Sequence, residues 1–360
     1  MNKLTAKDFK RGIRVVKSQL TDFDNYPVYQ NSLKPLGFYS KYNVKANTVF
    51  VICAGAAGDI GFSNKNFWAA DDCYYLETDK YVDSKFIYYY LLSIQNDIKR
   101  QVRQASVPRL GSNVLKSIIL PSVSDNKQQE IVKILDSFTN LIDALNEELS
   151  LRQKQFEYYR EKLLTFDDKS LLKPINEIGT LFRGNGLQKK DFVEEGVGCI
   201  HYGQIYTKLG FSLSKPLTYV TKVTAKPLTK VRKGDLVIAC TSENIEDVCK
   251  SVVWEGEEEI VTGGHACVLR HNENPRYIGY FFQTHQFFMQ KKQYAYGAKV
   301  IDIKTEKLGE ILIPIPPLAI QQSIVEKLDA FESLISSLKE EIALRQKQYE
   351  YYREKLLTFN

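Results

Sequence analysis

The stretch LRQKQFEYYREKLLTF, residues 151–166, is written a second time as LRQKQYEYYREKLLTF at residues 344–359. Fifteen of the sixteen positions are identical, and the copies lie 193 residues apart. A match this close means an internal duplication, and a repeat constrains the whole fold before any local reading does. Around the first copy, residues 125–166 hold neither Pro nor Gly, the profile of one uninterrupted helix. Its apolar residues fall at Ile131, Leu135, Phe138, Ile142, Leu145, Leu149, Phe156, Tyr159 and Leu163, at spacings that alternate between four and three. That is a coiled-coil seam, with Arg152 at the one position left over. The same register in the second copy gives Ile324, Leu328, Phe331, Ile335, Leu338, Ile342, Arg345, Tyr349, Tyr352 and Leu356.

About 40 residues at 1.5 Å rise make a rod of roughly 60 Å. A lone rod with a wet apolar stripe is unstable, so each helix needs a partner, and the nearest is the other copy in the same chain. Antiparallel packing of the two predicts an internal pseudo-two-fold repeat with a globular domain at either end. The heptads run on unbroken beyond the domain edges, which speaks against the alternative that each helix merely caps its own domain.

The remaining sequence is globular. Residues 1–124 contain YPVY (26–29), TVFVICAG (48–55) and DCYYLE (72–77), which predict strands between Gly and Asn turns. DSKFIYYYLLSIQNDIKRQVR (83–103) predicts a helix, and KSIILP (116–121) a strand. Residues 167–317 align with this segment at both ends: Arg11-Gly12 with Arg183-Gly184, PVYQNS (27–32) with CIHYGQ (199–204), and VPRLGSNVLKSIILP (107–121) with VIDIKTEKLGEILIP (300–314). Gln128, Gln129, Ile131 and Val132 match Gln321, Gln322, Ile324 and Val325. The predicted class is therefore α+β, of mixed α/β domains. Its order is domain (1–124), helix (125–166), domain (167–317) and helix (318–360), with near-identical helices and divergent domain interiors.

Apolar and charged fractions of 44% and 26% are those of an ordinary globular protein and exclude disordered and fibrous classes. No apolar run approaches the roughly 18 residues of a membrane span, and MNKLTAKDFKRGIRVV lacks the apolar core of a secretory signal, so a cytoplasmic location is expected. The six cysteines, Cys53, Cys73, Cys199, Cys240, Cys249 and Cys267, form no CxxC pair and are expected to be buried free thiols. Residues 1–124 carry 17 basic and 10 acidic side chains, a balance compatible with nucleic acid as a partner.

Catalytic signatures are missing from the sequence. An amino-methyltransferase needs a (D/N)PP(Y/F) tetrapeptide, but the adjacent prolines Pro316 and Pro317 are followed by Leu318. No GxxxxGK[ST] phosphate loop is present. GAAGDIG (55–61) and RGNG (183–186) read as turns between strands. His201, His265, His271 and His285 have no metal-ligand spacing, and no metal site is expected. Strand alternation through HYGQIY would place His201, Gly203 and Ile205 on one face and Tyr202, Gln204 and Tyr206 on the other. EGEEE (255–259) reads as a solvated loop.

Near-identical spacers holding divergent modules suit a partner with its own two-fold symmetry, and duplex DNA is one. The sequence resembles the DNA-specificity (S) subunits of Type I restriction-modification systems over essentially its whole length. The resemblance rests on YPVYQNS with CAGAAGDIGFSNKNFWAADDCYY, on CIHYGQIYTKLG with KGDLVIACTSEN, and above all on IPIPPLAIQQSIVEKLDAFESLI (313–335) echoed by LPSVSDNKQQEIVKILDSFTNLI (120–142). In that family two target recognition domains alternate with two helical spacers; this chain departs in starting with almost no N-terminal arm. The resemblance implies a non-catalytic subunit that reads a bipartite double-stranded site. It implies as partners two methyltransferase subunits and restriction (translocase) subunits, with S-adenosylmethionine, ATP and Mg in those partners and no cofactor in this chain. Alternatives are the specificity polypeptide of a Type II-like methylating nuclease, differing only in partner, and a structural coiled-coil assembly protein.

Polar, basic and aromatic residues in predicted loops at corresponding places are the candidate DNA contacts. In the first domain they are Gln30, Asn31, Ser32, Lys34, Lys41, Arg100, Arg103, Gln104 and Arg109. In the second they are Tyr202, Gln204, Tyr206, Lys208, Ser242, Glu243, Lys291, Lys292, Tyr294, Tyr296 and Lys299. The neighbourhoods of Tyr158, Tyr159, Tyr351 and Tyr352 are where partner subunits are expected to dock.

Overall fold

A computed structural model describes residues 9–23, 25–78 and 82–359. The chain divides into two compact units, one of residues 1–148 with 338–360 and the other of residues 149–337. Each unit thus takes its globular part together with half of each long helix.

In the first unit the strands are β1 (Phe9–Arg11), β2 (Tyr26–Tyr29), β3 (Gly37–Tyr39), β4 (Thr48–Ile52), β5 (Ile60–Ser63), β6 (Trp68–Ala69) and β7 (Cys73–Leu76). One sheet runs β1-β7-β4-β5, all antiparallel, and a smaller one runs β3-β2-β6. All five residues of β4, TVFVI, are buried. A central strand covered on both faces needs this continuous β-branched and aromatic run. Val49 and Val51 face a core shared with Phe86, Ile87, Tyr89 and Leu91, whereas Phe50 and Ile52 face Val44, Phe67 and Tyr75.

Two local expectations are corrected. The helix expected over 83–103 is two helices, Ser84–Ser93 and Gln95–Arg100, because Ile94 leaves helical geometry at φ −103°, ψ 11°. Of KSIILP, Lys116 and Ser117 close a short helix, Ser112–Ser117, and the chain turns extended only at Ile118.

The second unit repeats the topology and adds to it. Its strand Leu236–Ala239 lies between Ser251–Trp254 and Ala266–His271, with Gly179–Arg183 beyond the latter and Ser212–Leu213 added at the other edge. Its other sheet places Val197–Ile200 between Thr218–Val220 and Ile260–Thr262, again with an added strand on each side. The register agrees residue by residue. Arg11 lies across from Tyr74 as Arg183 does from Cys267, and Val51 from Ile60 as Ile238 does from Ser251. Gly12 N–H donates to Cys73 O as Gly184 N–H does to Ala266 O. Val28 pairs with Trp68 as Cys199 pairs with Val261, so PVYQNS aligns with the second domain one residue away from the sequence match.

The long helices span Asp125–Leu163 and Leu318–Leu357. Asp125 in the first turn and Arg160 and Lys162 in the last complement the helix dipole. Burial follows the expected seam: Ile131, Leu135, Ile324, Leu328, Ile335 and Tyr349 are buried, and the residues between seam positions are largely exposed. In the first unit Phe138 stacks on Tyr352 with ring centroids 5.3 Å apart; in the second, Phe331 stacks on Tyr159 at 5.4 Å. These are the same two repeat positions with the helices exchanged. Each unit therefore pairs the first half of one helix with the second half of the other, as antiparallel packing requires. Tyr159, a seam residue whose neighbourhood was also expected to dock a partner subunit, is half-buried by this stack.

Each globular part is tied to its helices by polar contacts that repeat from unit to unit. Tyr89 Oη donates to Asp136 Oδ1 at 2.6 Å and Lys85 Nζ pairs with Asp136 Oδ2 at 2.8 Å. Tyr280 Oη donates to Asp329 Oδ1 at 2.6 Å and Arg276 Nε pairs with Asp329 Oδ1 at 3.0 Å. The same tyrosines pack on the one position at which the repeats differ, Tyr89 on Tyr349 at 6.5 Å and Tyr280 on Phe156 at 6.2 Å. Gln128 Oε1 accepts from Asp83 N–H and Gln321 Oε1 from Asn274 N–H, fixing the cap of the packed helix in each unit.

Candidate nucleic-acid interface

Both units carry the same exposed hairpin at the same place. In the first, Arg103 and Arg109 exchange backbone hydrogen bonds at 2.9 and 3.1 Å, and Leu110 N–H reaches Cys53 O at 2.8 Å. In the second, Tyr296 and Asp302 do so at 3.1 and 2.9 Å, and Ile303 N–H reaches Cys240 O at 3.1 Å. Between these fixed ends the sequences are QASVP and GAKVI, so one backbone frame presents two different sets of side chains.

In the first unit the hairpin joins two turns. Gly55 N–H donates to Pro108 O at 3.1 Å, and Ala56 N–H to Asn31 O at 2.9 Å. GAAGDIG is indeed a turn: Gly55 has φ +79°, and a Cβ there would stand 2.8 Å from Asn31 O. The structure thereby gathers Gln30, Asn31, Ser32 and Lys34 with Arg103, Gln104 and Arg109. Asn31, Lys34, Arg103, Gln104 and Arg109 are exposed; Ser32 is half-buried and donates to Lys34 O at 2.9 Å. Lys41 is exposed in the turn after β3, and Arg100 lies on a helix rather than a loop, paired with Asp97 at 2.9 Å.

In the second unit the stretch after CIHY folds as a helix, Tyr202–Thr207, and not as the alternating strand expected. His201 makes the difference: its Nδ1 accepts from Gly203 N–H at 3.1 Å, while Gln204 Oε1 accepts from His201 N–H at 2.9 Å, a capping box. Helical spacing puts Tyr202 and Tyr206 on one face, and Gln204 and Ile205 are buried. Tyr202, Gln204, Tyr206, Lys208, Ser242 and Glu243 line one cleft of about 780 Å³. Lys189, His201, Thr218, Asn244, Asp247, His265 and Val300 also line it, and none of these was among the candidate contacts named from sequence. ENIED hinted at the turn in which Asn244 Oδ1 accepts from Asp247 N–H at 2.8 Å.

The other second-unit candidates separate. Lys291 is buried, donating to Glu246 O at 2.9 Å and Val248 O at 2.6 Å, and burial holds its ammonium below the usual lysine range. Lys291, Lys292 and Tyr294 lie on the helix His285–Tyr294 and not in a loop as expected; Lys292 is exposed, and Lys307 lies over the Tyr294 ring at 5.7 Å. Tyr296 and Lys299 are exposed on the hairpin, whose Asp302 pairs with Thr241 beside the cleft. The acidic run 255–259 is a surface loop in which three of the four carboxylates are paired, Glu255 with Arg276 at 2.7 Å, Glu259 with Arg232 at 3.1 Å and Glu257 with Lys233.

All six cysteines are buried free thiols, and burial pushes the Cys53 thiol up to about 12. Among the described residues no group of three or more His, Cys, Asp or Glu could hold a metal ion, and no helix is long and apolar enough to cross a membrane.

Residues 7–151 and 172–344 each match the type I restriction modification DNA specificity domain. The chain belongs to that family. The two matched stretches are the two halves that the topology relates, so the specificity domain occurs here twice. A putative type I restriction enzyme specificity subunit of Haemophilus influenzae is 28% identical over 366 residues, 96% of this chain and 91% of that protein. The EcoR124I/EcoR124II specificity subunit of Escherichia coli is 30% identical over 295 residues, 76% of this chain and 70% of that protein. The crystal structure of the type I S subunit from M. genitalium superposes with a TM-score of 0.63 at 19% identity, over 100% of this chain and 96% of that one, and shares its fold.

Proposed function

We infer that this chain is the non-catalytic specificity subunit of a type I restriction-modification complex and reads a bipartite, asymmetric site in duplex DNA, each unit taking one half. The observation that carries the reading is the repeated hairpin frame, Arg103–Arg109 and Tyr296–Asp302, with identical backbone hydrogen bonds and unlike side chains. Arg103, Gln104, Arg109 and Lys34 supply phosphate and base contacts in the first unit. Tyr296, Lys299, Lys208, Ser242 and Glu243 supply them in the second. The duplicated helices serve as the spacer between readers, and their exposed Leu151, Tyr158, Leu344 and Tyr351 offer the same apolar stripe twice, one for each of two methyltransferase subunits. S-adenosylmethionine belongs to those subunits, and ATP and Mg to the restriction subunits.

The test is to express the chain with its neighbouring methyltransferase and map methylated bases. Two different half-sites at fixed separation support the reading. One continuous site, or methylation without sequence dependence, overturns it.

A further inference from the structure

The cleft beside Tyr202 distinguishes the two otherwise parallel units. By strand register Asn31 corresponds to Tyr202, and Gly55 to Ser242. In the first unit these two positions are in contact: the Asn31 carbonyl accepts from Ala56 N–H at 2.9 Å, and no side chain fits at Gly55. In the second both positions line a cleft of about 780 Å³, within the roughly 300–1,000 Å³ of small-molecule sites.

Hydrogen bonds within the protein tie the walls together. Tyr206 Oη donates to Thr241 O at 2.5 Å, and Gln204 Nε2 to Thr218 Oγ1 at 3.2 Å. Lys291 Nζ donates to the carbonyls of Glu246 and Val248 in the loop that follows Ser242. The floor is aromatic, with Tyr202 packed on His265 at 4.8 Å and on His201 at 4.6 Å. Exposed Lys189 and Lys208 stand among the lining residues.

The ring faces of this floor suit a flat apolar surface better than a phosphate ridge, which takes its contacts from the charged rim. A flat group with apolar faces, polar edges and a phosphate on either side suits it: rings for its face, Ser242, Glu243 and His265 for its edge, the lysines for its phosphates. We propose that the cleft receives one nucleobase swung out of the duplex, so that the second unit reads part of its half-site by extruding a base. The proposal rests on the DNA-specificity reading above and adds to it how one half-site is read. Extrusion is unfavourable in itself, and a preformed stacking surface is what offsets it.

The test uses the full chain with its methyltransferase, bound to the duplex mapped by methylation. 2-Aminopurine is placed in turn at every half-site position other than the methylated adenines. One position, in one half-site only, is expected to brighten several-fold on binding. Tyr202→Ala abolishes the rise and Tyr202→Phe keeps it, which separates stacking from misfolding. A mismatch opposite that position tightens binding at least threefold, because the pair is already open. If no position brightens, or the rise survives Tyr202→Ala, while specific binding is retained, the pocket is overturned and the DNA reading stands. If the chain retains no particular sequence, both fall.

Discussion

Two lysines show how little residue type says about role. Lys299 is exposed on a hairpin tip, whereas Lys291 is buried with its ammonium on two carbonyls. Lys299→Ala should weaken binding to all sequences alike and lower the salt slope by about 1. Lys291→Met should leave the salt slope unchanged, cost about 1–3 kcal/mol by stranding the buried Val248 carbonyl and the part-buried Glu246 carbonyl, and blur base preference in the second half-site only. Equal salt slopes for both variants would refute the distinction. Two histidines carry a pH dependence. Burial, with Lys189 and His265 nearby, holds the His201 imidazole below its ordinary value, and burial does the same for His271. Both are native as neutral rings, accepting at Nδ1 from Gly203 and Glu273 N–H. The unfolded chain therefore takes up protons first as pH falls below about 6.5, so stability is full above that value and declines toward the lowered native one. A thermal melt should give a lower Tm at pH 5.5 than at 7.5, with the drop reduced in His201→Asn, which still caps. An undiminished drop in that variant would rule His201 out as its source.

Among the elements, the long helices and main strands were legible and the shorter pieces were not. Thirty-nine residues without Pro or Gly, with a four-three apolar pattern, leave one outcome; YPVY is strand β2 to the residue. The helix Tyr202–Thr207 was missed because a six-residue run is decided by its cap, and His201 is an uncommon cap that only the surrounding fold brings into place. The polar tie between domain and helix was equally hidden, although SKFIYYY and PRYIGYF, read side by side, place Lys85 with Arg276 and Tyr89 with Tyr280. Asp136→Ala or Asp329→Ala removes the charged acceptor of a largely buried tyrosine hydroxyl and should cost about 1.5–3 kcal/mol, measured by denaturant unfolding. Losses below 0.5 kcal/mol would mean the contact is ornamental.

For the molecule as a whole, the spacer reading makes a prediction of its own. Removing one heptad between Ile131 and Leu149 shifts one seam against the other by two turns, so the mapped gap between half-sites should change or binding should be lost; an unaltered gap would show that the helices are not the spacer. Sequence alone determined the duplication, the helices and their seam, because identity and periodicity are properties of order along the chain. It also pointed to the family and, through LRQKQ(F/Y)EYYREKLLTF, to two equivalent halves. The candidate surface was only partly legible: Arg103, Gln104, Arg109, Tyr296 and Lys299 lie on the exposed hairpins, but Lys291 and Gln204 were indistinguishable from surface residues until burial was known. What tertiary structure decided was depth, namely that Asn31 closes on Gly55 while Tyr202 and Ser242 line a cleft. Such a difference depends on how distant segments meet in three dimensions, and no local pattern records it.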